Sequence, residues 1–450
     1  MLNYLLSHTP LLYFVQSLWR DEVFSILTAG RSVGFLITKL SFEPPLYYLL
    51  LHFWMRIFGT SEIATRSLSL LGLVGATIIV IFWAEKIFKK SWLSWFLPVF
   101  FFFNPMLIYY GFEVRTYGWY IFFATLSMYA YLTRKWKLYL LAVIGGFYTH
   151  TYFLFTFFVQ IIHYLLILYL DRKLNPKSLL KDRVIRYFLI CILAIIPWLV
   201  KVAFDVSKLK NSWYFPVDFN LVRSVLGNMF IGYEGTPWYL WPFTANLSLL
   251  LLGFFGYAMI SRKTRRFNGY FILNIFLPLF LVIGISFIKP LFVNRYLISV
   301  TISEIFLLTL ALSAIRNKYL QIGIGISLLI CTLWFNTWYP DKHAKFPYRD
   351  TMTVVNSIRK PGDLIYATNS LNYFETLYYS KNKNGVFFYN PSGSAFPWYV
   401  GDAIFDKSNM TGSLPAYPVR AIMVTPDGKI EISFRTVMNA NLFDTGLKTK

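Results

Sequence analysis

"PPLYYLLLHFWMRIFG", residues 44–59, decides how this chain is threaded, because the side on which everything before it lies depends on whether it crosses a membrane. As a helix, residues 45–58 would cover roughly 21 Å at 1.5 Å per residue, short of a ~30 Å hydrocarbon layer. Pro44 and Pro45 suit a helix start and Gly59 a helix stop, while His52 and Arg56 share one side at i, i+4 spacing. The stretch reads as a helix that lies in the interface or re-enters it.

Composition makes the membrane the relevant solvent. Of 450 residues, 56% are hydrophobic, 20% aromatic and only 14% charged, where soluble domains carry about 45–50% apolar and ~25% charged residues. Long charge-poor runs such as 92–110, 116–132 and 245–260 read as spanning helices. The net charge of +22 is therefore read as membrane orientation, not as nucleic-acid binding. Cys191 and Cys331 both sit inside apolar runs, where thiols serve as small core residues, so neither a disulfide framework nor a cysteine metal site follows.

Lys and Arg in short loops mark the cytoplasmic side. Residues 86–90, 134–137, 172–186, 262–266 and 316–318 are basic and are assigned inside. The connections between them, around Glu113, around His150, over 205–240 and over 289–295, are assigned outside. Residues 19–65 then form a first outer loop with interfacial helices. Residues 2–18, uncharged apart from His8 and interrupted by Pro10, lack the basic lead and cleavage site of a signal peptide. They read as a short first span or as the remainder of a longer one. The expectation is a multi-pass plasma-membrane protein of about eleven helices, amino terminus cytoplasmic.

Beyond residue 338 the apolar runs shorten, and "KPGD", "PSGS" and "PDGK" signal turns. Alternating runs at 364–368, 386–389, 421–425 and 430–434 read as strands, and 372–380 as a helix. The predicted fold class is thus an all-α polytopic membrane domain, 1–338, followed by a small α/β extracytoplasmic domain, 339–450.

Ionisable residues inside lipid are costly and usually functional. Glu304 is the clear intramembrane carboxylate; His163 is the other ionisable group, and a lone histidine on such a face is more often a packed, hydrogen-bonded residue. The distinctive polar residues instead gather at the outer ends of spans: Asp21, Glu22, Glu43, Arg66, Glu113, Arg115, His150 and Arg295. Each has a plain reading. Asp21 could cap a helix running to Ala29, with Glu22 in its first turn and Gly30 ending it. Glu113 and Arg115 could be an exposed pair worth ~0–1 kcal/mol. Arg295, Tyr296, His150 and Tyr152 could be interfacial anchors. Convergence on one face favours chemistry at the outer interface over a path through the bilayer.

Three stretches in order, "SLWRDEVFS" (17–25), "FEPPLYYLLLHFWMRIFGTSEIATRSLSLL" (42–71) and "NPMLIYYGFEVRTYGWY" (104–120), resemble the bacterial membrane glycosyltransferases of the C-type fold (GT-C). The resemblance is to those akin to the aminoarabinose transferase of lipid A and the protein O-mannosyltransferases. It covers roughly the first 170 residues well; "NRYLIS" (294–299) and the carboxyl-terminal domain match more loosely. It implies a polyprenyl-phosphate-linked sugar as donor, and a catalytic acid-base role for Asp21 in an Asp-Glu motif with Glu22 beside it. Glu113 corresponds to a second acidic position, and Arg115 and Arg295 to basic residues that meet the donor phosphate. Arg66, His150 and Tyr296 are grouped with them as donor-binding. The first span is shorter than the family's, and the second acid is a Glu within "FEVRTY", where relatives vary.

The chemistry suits these residue types. A hydroxyl acceptor is a poor nucleophile, so a carboxylate within ~3 Å that takes its proton is useful. The transition state resembles an oxocarbenium ion, which carboxylates stabilise. The leaving phosphate already carries charge and needs guanidinium groups, not a proton donor. Asp21 and Glu113 could also hold a divalent ion; no other cofactor is called for. The acceptor stays open among lipid, glycan and protein. Two rivals remain: a transporter or flippase of lipid-linked sugars, for which Glu304 speaks, and a scaffold whose outer domain binds a partner.

Overall fold

The computed structural model describes residues 2–40, 42–172, 181–205, 217–232, 240–260 and 265–436. Parts of the basic loops expected at 172–186 and 262–266, and of the connection expected at 205–240, lie outside the described residues. The chain divides into two units, residues 1–15 with 29–344, and residues 16–28 with 345–450.

The first unit is helical. It opens with α1 (Leu2–His8) and α2 (Leu11–Val15), so the first expected span is two short helices broken at Pro10. Proline has no N–H to donate and pushes the residue before it out of the helical region. The helix α3 (Arg20–Ala29) reaches this unit at its last residue, and α4 (Val33–Thr38) follows, its first turn capped by Ser32. The stretch at 44–59 forms α5 (Leu46–Phe58), thirteen residues ending at Gly59 with φ +82°, a conformation that costs glycine little.

The remaining helices are α6 (Glu62–Phe88), α7 (Leu93–Phe102), α8 (Pro105–Phe112), α9 (Tyr117–Leu132), α10 (Trp136–Thr149), α11 (Phe153–Leu170), α12 (Arg183–Asp205), α13 (Phe219–Ile231), α14 (Trp241–Ile260), α15 (Arg265–Ser286), α16 (Ile298–Ala314) and α17 (Lys318–Trp338). Among the described residues seven helices are long and apolar enough to cross a membrane, or eight if α7 and α8, bent by 48°, are one span. The other three of the eleven expected are the broken α1–α2 pair and two helices of 16 and 14 residues, α9 and α10. The helix α16 is the centre of the unit: it is apolar almost all round, as a helix enclosed on every side must be, and nearly all of its residues are buried.

Close approach of α6 and α9 positions the chain that follows α8. A Cβ on Gly118 would collide with the Ser69 carbonyl, and one on Gly72 with the Gly118 carbonyl. Small residues at such a crossing let two backbones touch, the usual device where no hydrophobic drive separates helix from lipid.

The second unit holds a five-stranded sheet in the order β3-β2-β1-β4-β5, from β1 (Leu364–Ala367), β2 (Val386–Tyr389), β3 (Met410–Thr411), β4 (Ala421–Val424) and β5 (Ile430–Ser433). The first four run parallel and β5 is antiparallel to β4. Two helices belong to it, α18 (Tyr348–Ile358) and α19 (Ser370–Tyr379), the latter closed by a capping box at Asn369. Tyr348, Met352, Val355, Tyr373 and Phe374 are buried with the strands' inward residues. Residues 16–28 fold with this unit: Leu18 and Val23 are wholly buried, the Leu18 N–H donates to the Tyr379 hydroxyl at 2.7 Å, and the Phe24 and Phe374 rings lie 6.5 Å apart.

Candidate active site

In the first unit the residues expected at the outer ends of spans come together around the short link 113–116 between α8 and α9. Glu113 and Arg115 are 2% and 7% exposed, which removes the reading of an exposed loop pair. The Arg115 side chain donates through Nη2 to Glu43 Oε1 at 2.5 Å and through Nη1 to the Tyr48 hydroxyl at 3.5 Å. Its carbonyl accepts from Ser69 Oγ at 3.3 Å, and Ser69 Oγ is itself 2.9 Å from the Tyr47 hydroxyl. The link is thereby tied to α5 and α6, and the guanidinium sits where their sequence places two tyrosines.

Arg295 lies in the 3-10 turn Asn294–Leu297 that leads into α16 and is 6% exposed. Its Nε donates to the Tyr117 hydroxyl at 2.9 Å, and its guanidinium lies 5.6 Å from the Tyr296 ring centroid. Enclosed so far, it is not an interfacial anchor of the snorkelling kind. His150, between α10 and α11, stacks on Tyr120 with centroids 4.9 Å apart and planes 6° from parallel. Tyr117, Tyr152 and Tyr296 surround it at 5.8, 5.9 and 5.2 Å. Tyr120 donates to the Tyr296 carbonyl at 3.2 Å and Tyr152 to the Leu291 carbonyl at 2.9 Å, which fixes the walls of this box.

Two guanidinium groups bear on the box, one of them paired with Glu43, and the Glu113 carboxyl bears on Tyr117. Burial first, then Arg115 and Arg295, push the His150 imidazole down to about 3, so the ring is neutral at physiological pH. Its Nδ1 accepts the Tyr152 N–H at 3.2 Å, which puts the one proton on Nε2. The box thus offers two guanidinium groups and a neutral imidazole N–H, a donor set suited to an anion.

Arg66 is fully buried on α6 and donates through Nη1 to the Phe14 carbonyl at 3.2 Å. His163 bonds the Tyr131 hydroxyl at 2.8 Å, the packed histidine its lone position suggested. Glu304 is fully buried on α16, and neither carboxylate oxygen has a hydrogen-bond partner among the described residues.

Asp21 and Glu22 belong to the second unit. The helix α3 begins at Arg20, so Asp21 lies within its first turn and is not its cap. Trp19 precedes the helix, and its carbonyl accepts the N–H groups of Glu22 and Val23 at 3.0 Å each. Glu22 turns back to accept the Trp19 N–H at 3.3 Å, half of a capping box, and pairs with Lys345 Nζ at 3.2 Å while wholly buried. A buried carboxylate so engaged reads as structural; stripping its lysine would cost about 3–5 kcal/mol. Asp21, with its side chain 15% exposed, is held by Arg20 Nε at 2.8 Å. The two adjacent carboxylates therefore have different work.

Sequence reading missed Lys345 and Glu375, both of which meet this motif. Burial first raises the Glu375 carboxyl on α19 to about 8, with Arg20 opposing the rise and Asp21 and Glu22 adding to it. No local pattern marks either residue; only the fold brings them to residues 16–28. Among the described residues no three His, Cys, Asp or Glu side chains converge as a metal site would need.

The fold has solved counterparts. The chain is similar to ArnT from Cupriavidus metallidurans in the apo state, with a TM-score of 0.58 and 12% identity over 93% of this chain and 91% of that one. It is likewise similar to the same protein bound to undecaprenyl phosphate, with a TM-score of 0.57, 12% identity and the same coverage. No family model matches the chain, and no curated protein matches it in sequence. The likeness is one of fold, the GT-C type that the three sequence stretches led us to expect, and it extends well past the first 170 residues.

Proposed function

We propose that this protein is a glycosyltransferase that moves a sugar from a polyprenyl-phosphate carrier to an acceptor on the outer face of the membrane. The observation that carries the reading is the pair of buried guanidinium groups, Arg115 and Arg295, set about neutral His150 in a wall of tyrosines. A guanidinium withdrawn from water calls for an anion, and a lipid phosphate is the anion a membrane supplies. The neighbouring fold with undecaprenyl phosphate bound supports the same ligand class.

In this reading the acceptor X–H attacks the anomeric carbon from the side opposite the phosphate. The new C–X bond forms as the C–O bond to phosphate breaks, Asp21 takes the proton from X, and the polyprenyl phosphate leaves with the electron pair, its added charge met by Arg115 and Arg295. One displacement gives inversion. Glu22 acts by holding the first turn of α3, while Glu113, Arg66 and Tyr296 belong with the donor-binding residues. The amino terminus is cytoplasmic and the carboxyl-terminal unit extracytoplasmic. The acceptor is a lipid, glycan or protein of the cell envelope.

A second reading, a flippase of lipid-linked sugars, rests on Glu304, buried without a hydrogen-bond partner among the described residues. The test is transfer from a panel of radiolabelled polyprenyl-phosphate sugars to membrane extract, with Asp21→Asn and Glu304→Gln alongside. We expect label in a new product from wild type and Glu304→Gln, and none from Asp21→Asn. Full activity in folded Asp21→Asn removes the base assignment; carrier movement without transfer, abolished by Glu304→Gln, favours the flippase.

A further inference from the structure

At the end of α6 that bears Lys86, the helices α6, α9 and α10 leave a groove of about 400 Å³. Its polar rim is Lys86, Tyr129 and Lys135. The Lys86 ammonium donates to the Tyr129 hydroxyl at 2.9 Å and lies 5.3 Å from the ring centroid; the Lys135 ammonium lies 5.0 Å from the same centroid. Among the described residues no carboxylate pairs with either lysine. The ring attracts both cations while they repel each other, so an anion at the rim is held by two ammonium groups at once. The rest of the lining is apolar. Phe82 and Ile79 follow Lys86 along α6, about 6 and 10 Å farther into the span at 1.5 Å per residue, and Leu126 and Leu138 complete the wall. Phe82 is 60% exposed on a membrane-spanning helix, so the groove opens toward lipid.

We propose that this groove binds an anionic phospholipid, its phosphodiester between Lys86 and Lys135 and an acyl chain running past Phe82 and Ile79. The inference goes beyond the transfer reaction and does not depend on it. The groove is not the donor-binding box: Tyr117 of the box and Tyr129 of the rim stand on the same helix, α9, about 18 Å apart along its axis. A soluble phosphate would use the two ammonium groups and none of the apolar lining. A zwitterionic lipid would bring its own cation against them. With residues 86–90 and 134–137 assigned to the cytoplasmic side, the lipid belongs to the inner leaflet.

The test takes the full-length protein in a neutral detergent, equilibrates it with radiolabelled phosphatidylglycerol or phosphatidylcholine, and counts the lipid retained per protein after capture. We expect half-saturation by phosphatidylglycerol at a concentration about 10- to 30-fold below that for phosphatidylcholine, the scale of two lysines at an anionic headgroup. Lys86→Gln with Lys135→Gln should abolish that preference. Lys90→Gln with Lys137→Gln, which takes the same charge from exposed positions outside the groove, should keep it within about twofold. Equal losses in the two double variants would mean diffuse attraction to a basic surface and overturn the site, as would equal retention of both lipids by wild type. Displacement by an equal concentration of inorganic phosphate would assign the groove to a soluble anion. Stronger retention of undecaprenyl phosphate than of phosphatidylglycerol, lost when Lys86 and Lys135 are replaced, would assign it to the carrier; either result overturns the proposal. Thermal unfolding checks the fold of each variant. Should the first double variant not fold, Lys135→Gln alone is read in its place, with a loss of about fivefold expected.

Discussion

Arg115 and Glu43 are joined by an ion pair of 2.5 Å between Nη2 and Oε1, with the arginine side chain 9% exposed and the glutamate 31%. A carboxylate thus stands against the guanidinium to which we assign the donor phosphate, and an incoming phosphate must share or displace it. Glu43→Gln is expected to lower the donor KM by about threefold. Arg115→Lys, which keeps the charge but loses the planar fork, is expected to raise it by about 10-fold. Initial rates across donor concentrations decide; an unchanged KM in Arg115→Lys removes the phosphate role.

Arg295 donates through Nε to the Tyr117 hydroxyl at 2.9 Å. Arg295→Ala is expected to raise the donor KM at least 10-fold, by loss of charge next to the leaving group. Tyr117→Phe removes the bond and leaves the charge, so its effect should be a few-fold only. Equal effects would mean that Arg295 acts by packing the link to α9 and not by meeting phosphate.

Gly118 faces the Ser69 carbonyl across α6 and α9 with no room for a Cβ. The obstacle is backbone, which cannot swing aside as a side-chain end can. Gly118→Ala is expected to lower stability by about 1–3 kcal/mol, the usual cost of overpacking. It should also cut activity, because Arg115 stands three residues before it on the displaced link. Thermal unfolding in detergent, compared with Gly253→Ala, where a Cβ meets nothing within 4 Å, isolates the effect.

What was legible followed from periodicity and punctuation. The short helix after Pro45, the four strands β1, β2, β4 and β5 and the helix near 372–380 all announce themselves within ten or fifteen residues. The helix α18, "YRDTMTVVNSI", did not, because its threonines and valines favour strand; it stands because Tyr348, Met352 and Val355 are buried along one side. Least legible was the seating of Asp21 and Glu22. Their motif is local and could be matched, but the partners that hold it, Lys345 and Tyr379, lie at the far end of the chain, and no pattern within "SLWRDEVFS" encodes them. Burial of Glu113 and Arg115 was also invisible, since a charged pair in a short link reads the same whether solvated or enclosed.

His150 gives the sharpest electrostatic test. Its ring is held at about 3 against an ordinary 6.5 by burial and by two guanidinium groups. A folded value below the unfolded one means that, between them, the unfolded chain binds the proton and the folded chain does not. The stability His150 contributes is therefore fully present above about pH 6.5 and lost as pH falls toward about 3. The chain has five histidines, so the His150 nitrogens can be assigned in a ¹⁵N-histidine spectrum by their absence in His150→Gln. We expect them to stay constant from pH 8 to pH 5, with the proton on Nε2 and Nδ1 bare, as its bond from the Tyr152 N–H requires. A midpoint near 6.5 would mean that water reaches the ring and that Arg115 and Arg295 do not bear on it. The box would then lack the concentrated positive charge on which the proposed phosphate site depends.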